Sequence, residues 1–161
     1  MPRIEEKLKA KGMVLPEPLK MPAGVVLPFP FVNIRGNRAI ISGHGPQEAD
    51  GSIAGPFGQV GSDVSVEDAK LLAQKTALSI LASLDRELGS LDRITGWVKV
   101  LGMVNSAPGF AGQPAVINGF SELILYLFGP DAGRHARSAV GMAALPFNIA
   151  VEIEGEVEIG G

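Results

Sequence analysis

Gly133-Arg134-His135-Ala136-Arg137-Ser138-Ala139-Val140-Gly141-Met142-Ala143-Ala144-Leu145-Pro146, followed by Asn148 and Val151-Glu152-Ile153-Glu154, reads as two β-strands joined by a proline-containing turn. Alternate residues of a strand point to opposite faces. Arg137, Ala139, Gly141 and Ala143 therefore share one face of the first strand, and Ser138, Val140, Met142 and Ala144 the other. On the second strand Glu152 and Glu154 lie opposite Val151, Ile153 and Val157. Read as a hairpin, the pair sets a guanidinium beside two carboxylates. The small residues between them leave room for a ligand or a neighbouring chain.

Upstream, the punctuation is clear. Ile4, Leu8 and Met13 are spaced for one face of a short helix, ended by Leu15-Pro16-Glu17-Pro18, since proline cannot continue a helix. Met21 to Pro30 is proline-rich and reads as an extended lead-in, so residues 1–30 form an N-terminal extension to a single domain over 1–161. Phe31 to Ile34 and Arg38 to Gly43 read as a hairpin around a turn at Gly36-Asn37. The loop to Gly61 is glycine-rich, but its spacing fits no phosphate-binding fingerprint. Ser65-Val66-Glu67-Asp68 opens a helix in capping-box style, and Gly89 stops it after Leu88. Its apolar stripe runs Val66, Ala69, Leu72, Ala73, Thr76, Ala77, Ile80, Leu84 and Leu88. Ile94 to Asn105 reads as a long strand with Trp97 and Lys99 opposite Val98 and Val100, Trp97 serving as a packing residue. A second helix is expected from Pro114 to Phe128, stopped by Gly129-Pro130.

The order is ββαβαββ, which predicts an α+β fold: a mixed sheet with two helices on one face. The other sheet face is expected to carry small and apolar residues with nothing in the chain to cover it. More copies of the same sheet would cover it.

Bulk composition narrows the function classes. The chain has 161 residues, a length that buries roughly 70% of its unfolded surface without a covalent staple. It has no cysteine, so it has no disulfide, thiolate metal site or cysteine nucleophile, as suits a reducing cytoplasm. The N-terminal residues lack a signal-peptide core, and no apolar run approaches the ~20 residues of a membrane span. A net charge of −3 and a pI near 5.4 disfavour a broad nucleic-acid surface. With only two histidines, His44 and His135, no metal site is expected. Ser42, Ser121 and Ser138 show no supporting triad.

The ordered set Asn118-Gly119-Phe120-Ser121-Glu122-Leu123, Phe128-Gly129, His135 to Gly141, Leu145-Pro146 and Val151 to Glu154 resembles the Rid (reactive intermediate deaminase) family. That family is also called YjgF and is often labelled endoribonuclease L-PSP. The spacing is similar to its longer-chain branch. Weaker similarity at Pro30-Phe31-Val32 and Ile41-Ser42-Gly43 extends it over most of the chain. The resemblance implies a chorismate-mutase-like fold and a homotrimer with pockets between subunits. It also implies hydrolysis of small 2-imino acids to 2-keto acids and ammonia, without a cofactor.

Carried over residue by residue, the resemblance makes Arg137 the clamp for a substrate carboxylate and Glu152 the group that positions or activates water. Backbone groups near Arg137 and Ala139 would hold the imine. Asn118 matches an asparagine associated with the site or the trimer contact. Phe31 stands where the family has a pocket tyrosine, and Ala139 where shorter members often have cysteine; both leave the pocket more apolar. Gly43 and His44, at a strand end, are candidate lining residues. The residues alone leave alternatives open: Arg137 paired with Glu152 or Glu154, and Asn118 as a polar residue in a helical first turn. The functional alternatives are a trimer that binds a small carboxylate metabolite without turnover and, third, RNA cleavage.

Overall fold

A computed structural model describes residues 3–161; Met1 and Pro2, the start of the expected extension, lie outside the described residues. The elements in chain order are α1 (Arg3–Ala10), β1 (Val32–Arg35), β2 (Arg38–His44), α2 (Val66–Leu88), β3 (Ile94–Asn105), α3 (Gln113–Ala132), β4 (Ala136–Met142) and β5 (Val151–Ile159). A short 3₁₀ turn at Leu91–Arg93 precedes β3, and a tight turn at Pro146–Asn148 precedes β5. The sheet order is β1-β2-β5-β3-β4, with β3 and β4 parallel and the other neighbours antiparallel. The ββαβαββ order and the mixed sheet under α2 and α3 are as read from the sequence.

The ends of α2 show why local chemistry sufficed there. Ser65 Oγ accepts from the Asp68 amide at 3.1 Å. Gly89 takes φ +80°, left-handed backbone that glycine adopts without Cβ strain, and its N–H donates to Asp85 O. The other end signals acted less simply. The first helix stops at Ala10, before its prolines, where Gly12 turns the chain at φ +67°. α3 is broken at Gly129 (φ 83°, ψ 176°), after which Pro130 opens one more turn.

The core forms between the helices and one sheet face. Phe120, Ile80, Leu84, Ile117, Ile124 and Ile153 are fully buried there. Trp97 packs edge-on against Phe120 and Phe128 at 5.6 and 5.8 Å between ring centroids. Its packing role is as expected, but its partner on that face is not. A bulge between Trp97 and Lys99 shifts the alternation by one residue. Trp97 and Val100 are both buried while Lys99 is exposed, so Trp97 and Lys99 do not share a face.

The stretch from Gly133 to Glu154 pairs differently from the expected hairpin. β4 and β5 do not form a hairpin, because β3 lies between them. The α3 crossover brings β4 parallel to β3 at the sheet edge, and β5 then inserts antiparallel between β2 and β3. Face parity survives and adjacency does not. Arg137 is level with Val100 and, across β3, with Gly155, whereas Glu152 is level with Met103 and Val140.

The face away from the helices also differs from expectation. It is not simply small and apolar: the β5 sequence places Glu152, Glu154, Glu156 and Glu158 on it. Arg38 pairs with Glu156 there. Its apolar residues include Leu101 and Met103, level with Glu154 and Glu152, and the exposed Ile40 and Val140.

Candidate functional site

The residues singled out from the sequence fall into two groups on this chain. Phe31, Gly43, His44 and Glu152 line one cavity of about 310 Å³. Arg137 and Asn118 touch each other elsewhere, and Ala139 packs half-buried against the core from the same strand face as Arg137.

The cavity is built by an irregularity in β2. Between Ile41 and His44, β2 advances three residues while β5 advances two, from Gly155 to Ile153. This bulge puts Ile41 and His44 on the helix side together and turns Gly43 toward β5. A Cβ at Gly43 would sit 2.3 Å from Glu152 Oε2, so the glycine lets that carboxylate keep its present position. Glu152 makes no ion pair or side-chain hydrogen bond among the described residues. Burial pushes its carboxyl above the ordinary glutamate range, and the neighbouring Glu154 pushes it further. A carboxyl so placed is a candidate for proton transfer to or from a bound molecule.

His44 is 4% exposed and both ring nitrogens are engaged. Nδ1–H donates to Ser42 O at 2.6 Å, which leaves Nε2 to accept from Ser83 Oγ–H at 2.8 Å. Its ring lies 5.0 Å from that of Phe31. Burial lowers its pKa to about 4, with the Arg86 guanidinium adding to the effect. A depressed histidine pKa contributes stability that is complete above the unfolded value of 6.5 and is lost as pH falls through the folded value of about 4. That span corresponds to about 3 kcal/mol. Urea titrations at pH 7 and pH 4 are expected to differ by about that much more in the wild type than in His44→Asn, which cannot titrate. Equal pH slopes would show that His44 is not buried neutral.

The second group sits on α3 and β4. Arg137 Nη1 donates to Asn118 Oδ1 at 2.8 Å and to Ser121 Oγ at 3.1 Å. Ser121 Oγ–H in turn donates to His135 Nε2 at 2.9 Å, while His135 Nδ1–H donates to Gly133 O at 2.8 Å. Burial holds the His135 pKa below the usual histidine range, assisted by Arg137, which keeps Nε2 an acceptor. Arg137 is thus held through one nitrogen, and its Nε and Nη2 have no hydrogen bond among the described residues. That edge of the guanidinium can meet a carboxylate. The salt bridge from Arg137 to Glu152 or Glu154 is not made: the side chains point to opposite sheet faces, with β3 between the strands.

Sequence reading passed over several of these residues. Ser121 follows Asn118 by one helical turn, so the two face Arg137 together; that spacing was visible in the sequence. Leu19, Met21 and Leu27, apolar residues within the proline-rich lead-in, also line the cavity. Ser83 had no local signal, because it meets His44 only in the tertiary fold. Among the described residues no group of three or more His, Cys, Asp or Glu side chains is arranged to hold a metal ion.

The sequence profile of the family described as "YjgF/chorismate_mutase-like, putative endoribonuclease" matches residues 5–154. The chain belongs to the YjgF family. Within and around that family, it is 38% identical over 143 residues to Protein TCP17 of Trypanosoma cruzi, covering 88% of each chain. A crystal structure of Agrobacterium tumefaciens Atu1372, a protein of unknown function, is 43% identical and superposes with a TM-score of 0.86 over 98% of this chain and 92% of that one. The YjgF gene product of E. coli shares the fold at 21% identity, with a TM-score of 0.60 over 83% of this chain and 90% of that one. YjgF-family membership accounts for the helix-covered mixed sheet. No helix among the described residues is long and apolar enough to cross a membrane.

Proposed function

We propose that this YjgF-family chain is a cofactor-independent hydrolase of small 2-imino acids. The observation that carries the reading is Glu152: an unpaired carboxyl with a raised pKa at the edge of a largely apolar cavity. In the reaction a water oxygen bonds to the imine carbon as the C=N pair moves to nitrogen. Glu152 takes a proton from the water and delivers it to that nitrogen. Glu152 then relays the hydroxyl proton of the tetrahedral intermediate to the amine; the C–N bond breaks as the C=O forms, leaving a 2-keto acid and ammonia. No oxidant or reductant is needed, and positioning supplies much of the acceleration.

The substrate carboxylate needs a cation, and neither lysine nor arginine lines the Glu152 cavity. Arg137, held by Asn118 and Ser121 near the sheet edge, is the clamp, and it serves the cavity of a neighbouring copy. A homotrimer with sites between subunits meets that requirement and covers the glutamate-bearing face. The row of glutamates on β5 argues against RNA, a polyanion, as substrate.

Imines generated in situ by an amino-acid oxidase and trapped as semicarbazones test the reading, which expects less trapped product when this protein is present. Arg137→Lys keeps the charge but loses the planar fork. Loss of a charge-assisted hydrogen bond, ~1.5–3 kcal/mol, corresponds to about 10- to 100-fold in kcat/KM. The oligomer should persist, as sedimentation would show; wild-type rates in Arg137→Lys would sink the clamp. A second reading, binding of a small carboxylate without turnover, is favoured by Phe31, which brings a ring without a hydroxyl to the cavity. Ligand binding without any imine hydrolysis would select it.

A further inference from the structure

We propose that the cavity selects imino acids with an apolar side chain of about leucine to phenylalanine size, and that the N-terminal segment 19–29 is the wall that selects them. The proposal rests on the hydrolase reading for its chemistry but not for its binding preference.

The segment is pinned at both ends. On one side Arg86 Nη1 donates to Pro16 O at 3.3 Å, the Glu17 amide to Ala49 O at 2.9 Å, and the Lys20 amide to Gly51 O at 3.0 Å. On the other, Ser42 uses its hydroxyl on Pro30 O at 2.8 Å and its amide on Phe31 O at 2.9 Å. Between these anchors the backbone closes, among the described residues, only its own turn, from Val25 N–H to Pro22 O at 3.1 Å. The fixed ends set Leu19, Met21, Leu27 and Phe29 along the cavity, with Phe31 beside them.

The opposite rim is held by strained backbone. Phe147 and Asn148 both have φ +57°, a region that a bulky residue occupies only when its surroundings require it. They do so here: Asn148 O accepts from the Gly58 amide at 2.9 Å, and the buried Asn105 Nδ2 donates to Ile149 O at 3.1 Å. The outcome is a Phe147 ring at the rim, facing the same cavity.

Charge and size narrow the occupant. The ionisable side chains on the cavity wall are Glu152 and His44, and both His44 nitrogens are already bonded. An acidic side chain would meet apolar wall and a carboxyl, with no cation to pair it. The volume of about 310 Å³ is at the small end for ligand sites and about twice that of a cavity that holds benzene. It accommodates one side chain plus the reacting carbon. The methyl of an alanine-derived imine would leave most of this wall untouched.

The test compares imines made in situ from leucine, phenylalanine, alanine and glutamate by matching amino-acid oxidases. Single methylenes are worth roughly tenfold or more in an apolar pocket. The leucine and phenylalanine imines are therefore expected to show kcat/KM at least ~10-fold above the alanine imine, with the glutamate imine lower still. Met21→Asp and Leu27→Asp, at half-exposed positions that can accept a charge without unfolding the core, should narrow the leucine-to-alanine ratio to within about threefold. Circular dichroism would verify their folding. Calorimetric binding of 4-methyl-2-oxopentanoate, phenylpyruvate, pyruvate and 2-oxoglutarate runs in parallel. Equal rates across side chains, or variants that retain the full preference, overturn the proposal. If no imine is hydrolysed, the hydrolase reading falls and binding decides: tighter binding of the two apolar keto acids, weakened in Leu27→Asp, supports the wall, and equal or absent binding overturns it.

Discussion

Glu152→Gln is expected to lower imine hydrolysis by about 10²- to 10⁴-fold, the usual contribution of a positioned acid–base group. It is expected to do so without loss of fold. The amide is isosteric with the carboxyl and fits the space that Gly43 leaves beside Oε2. The variant also carries a stability signature of the opposite sign. The wild-type carboxyl has a raised folded-state pKa, so the stability it contributes is complete below the unfolded pKa and is lost as pH rises through the folded one. Glutamine removes that ionisation. At pH 8 the variant should therefore melt higher than wild type, and the difference should close as pH falls through the glutamate range. Activity lost together with a raised melting temperature is a stability–activity trade-off at one residue. Full activity in Glu152→Gln would remove the proposed proton relay. An unchanged melting difference at every pH would remove the account of its burial.

Gly119 should give the largest structural effect. It lies where α3 crosses α2, and an added Cβ would stand 2.0 Å from Lys70 O and 2.9 Å from Lys70 C. Those are backbone atoms of a helix packed on the sheet, so they cannot rotate away as a side-chain tip would. Alanine in a helix interior normally gains about 1 kcal/mol over glycine. Here overpacking, typically ~1–3 kcal/mol and more when backbone must move, exceeds that gain. Gly119→Ala is expected to lose about 2 kcal/mol net, or roughly 4–8 °C in Tm at this chain length. Gly119→Leu is expected to abolish the folded domain. Gly96→Ala is the control: its Cβ would meet nothing within 4 Å and its φ is not left-handed, so its melting temperature should hold or rise slightly. A neutral Gly119→Ala would mean that α2 and α3 are farther apart than described.

Much of the candidate site was legible as residue types and little of it as an arrangement. Arg137, Glu152, Asn118 and Phe31 stand out by the family resemblance. Which of them touch was not readable. Strand parity put Arg137 and Ala139 on one face and Glu152 with Glu154 on one face, and the fold keeps both pairings. Parity does not say which strands are neighbours, so an apparent hairpin concealed β3 between β4 and β5.

By itself the sequence determined what rests on short-range chemistry and on pattern. The Ser65 cap and the Gly89 stop bound α2 through bonds within a few residues. The Gly36 turn closes the first hairpin, and the ordered motifs from Asn118 to Glu154 carry the YjgF family. Tertiary structure alone decided the insertion of β5, the bulges at β2 and β3, and the Arg137–Ser121–His135 chain. It also decided that an apparently plain lead-in walls a cavity. The physical reason is common to all four. A cap is selected by one or two neighbouring residues, whereas a register, a bulge or a strand insertion is selected by how side chains far apart in sequence fill one core. The winning arrangement buries Trp97 with Val100 and Ile41 with His44, at the cost of a broken alternation that no local pattern announces.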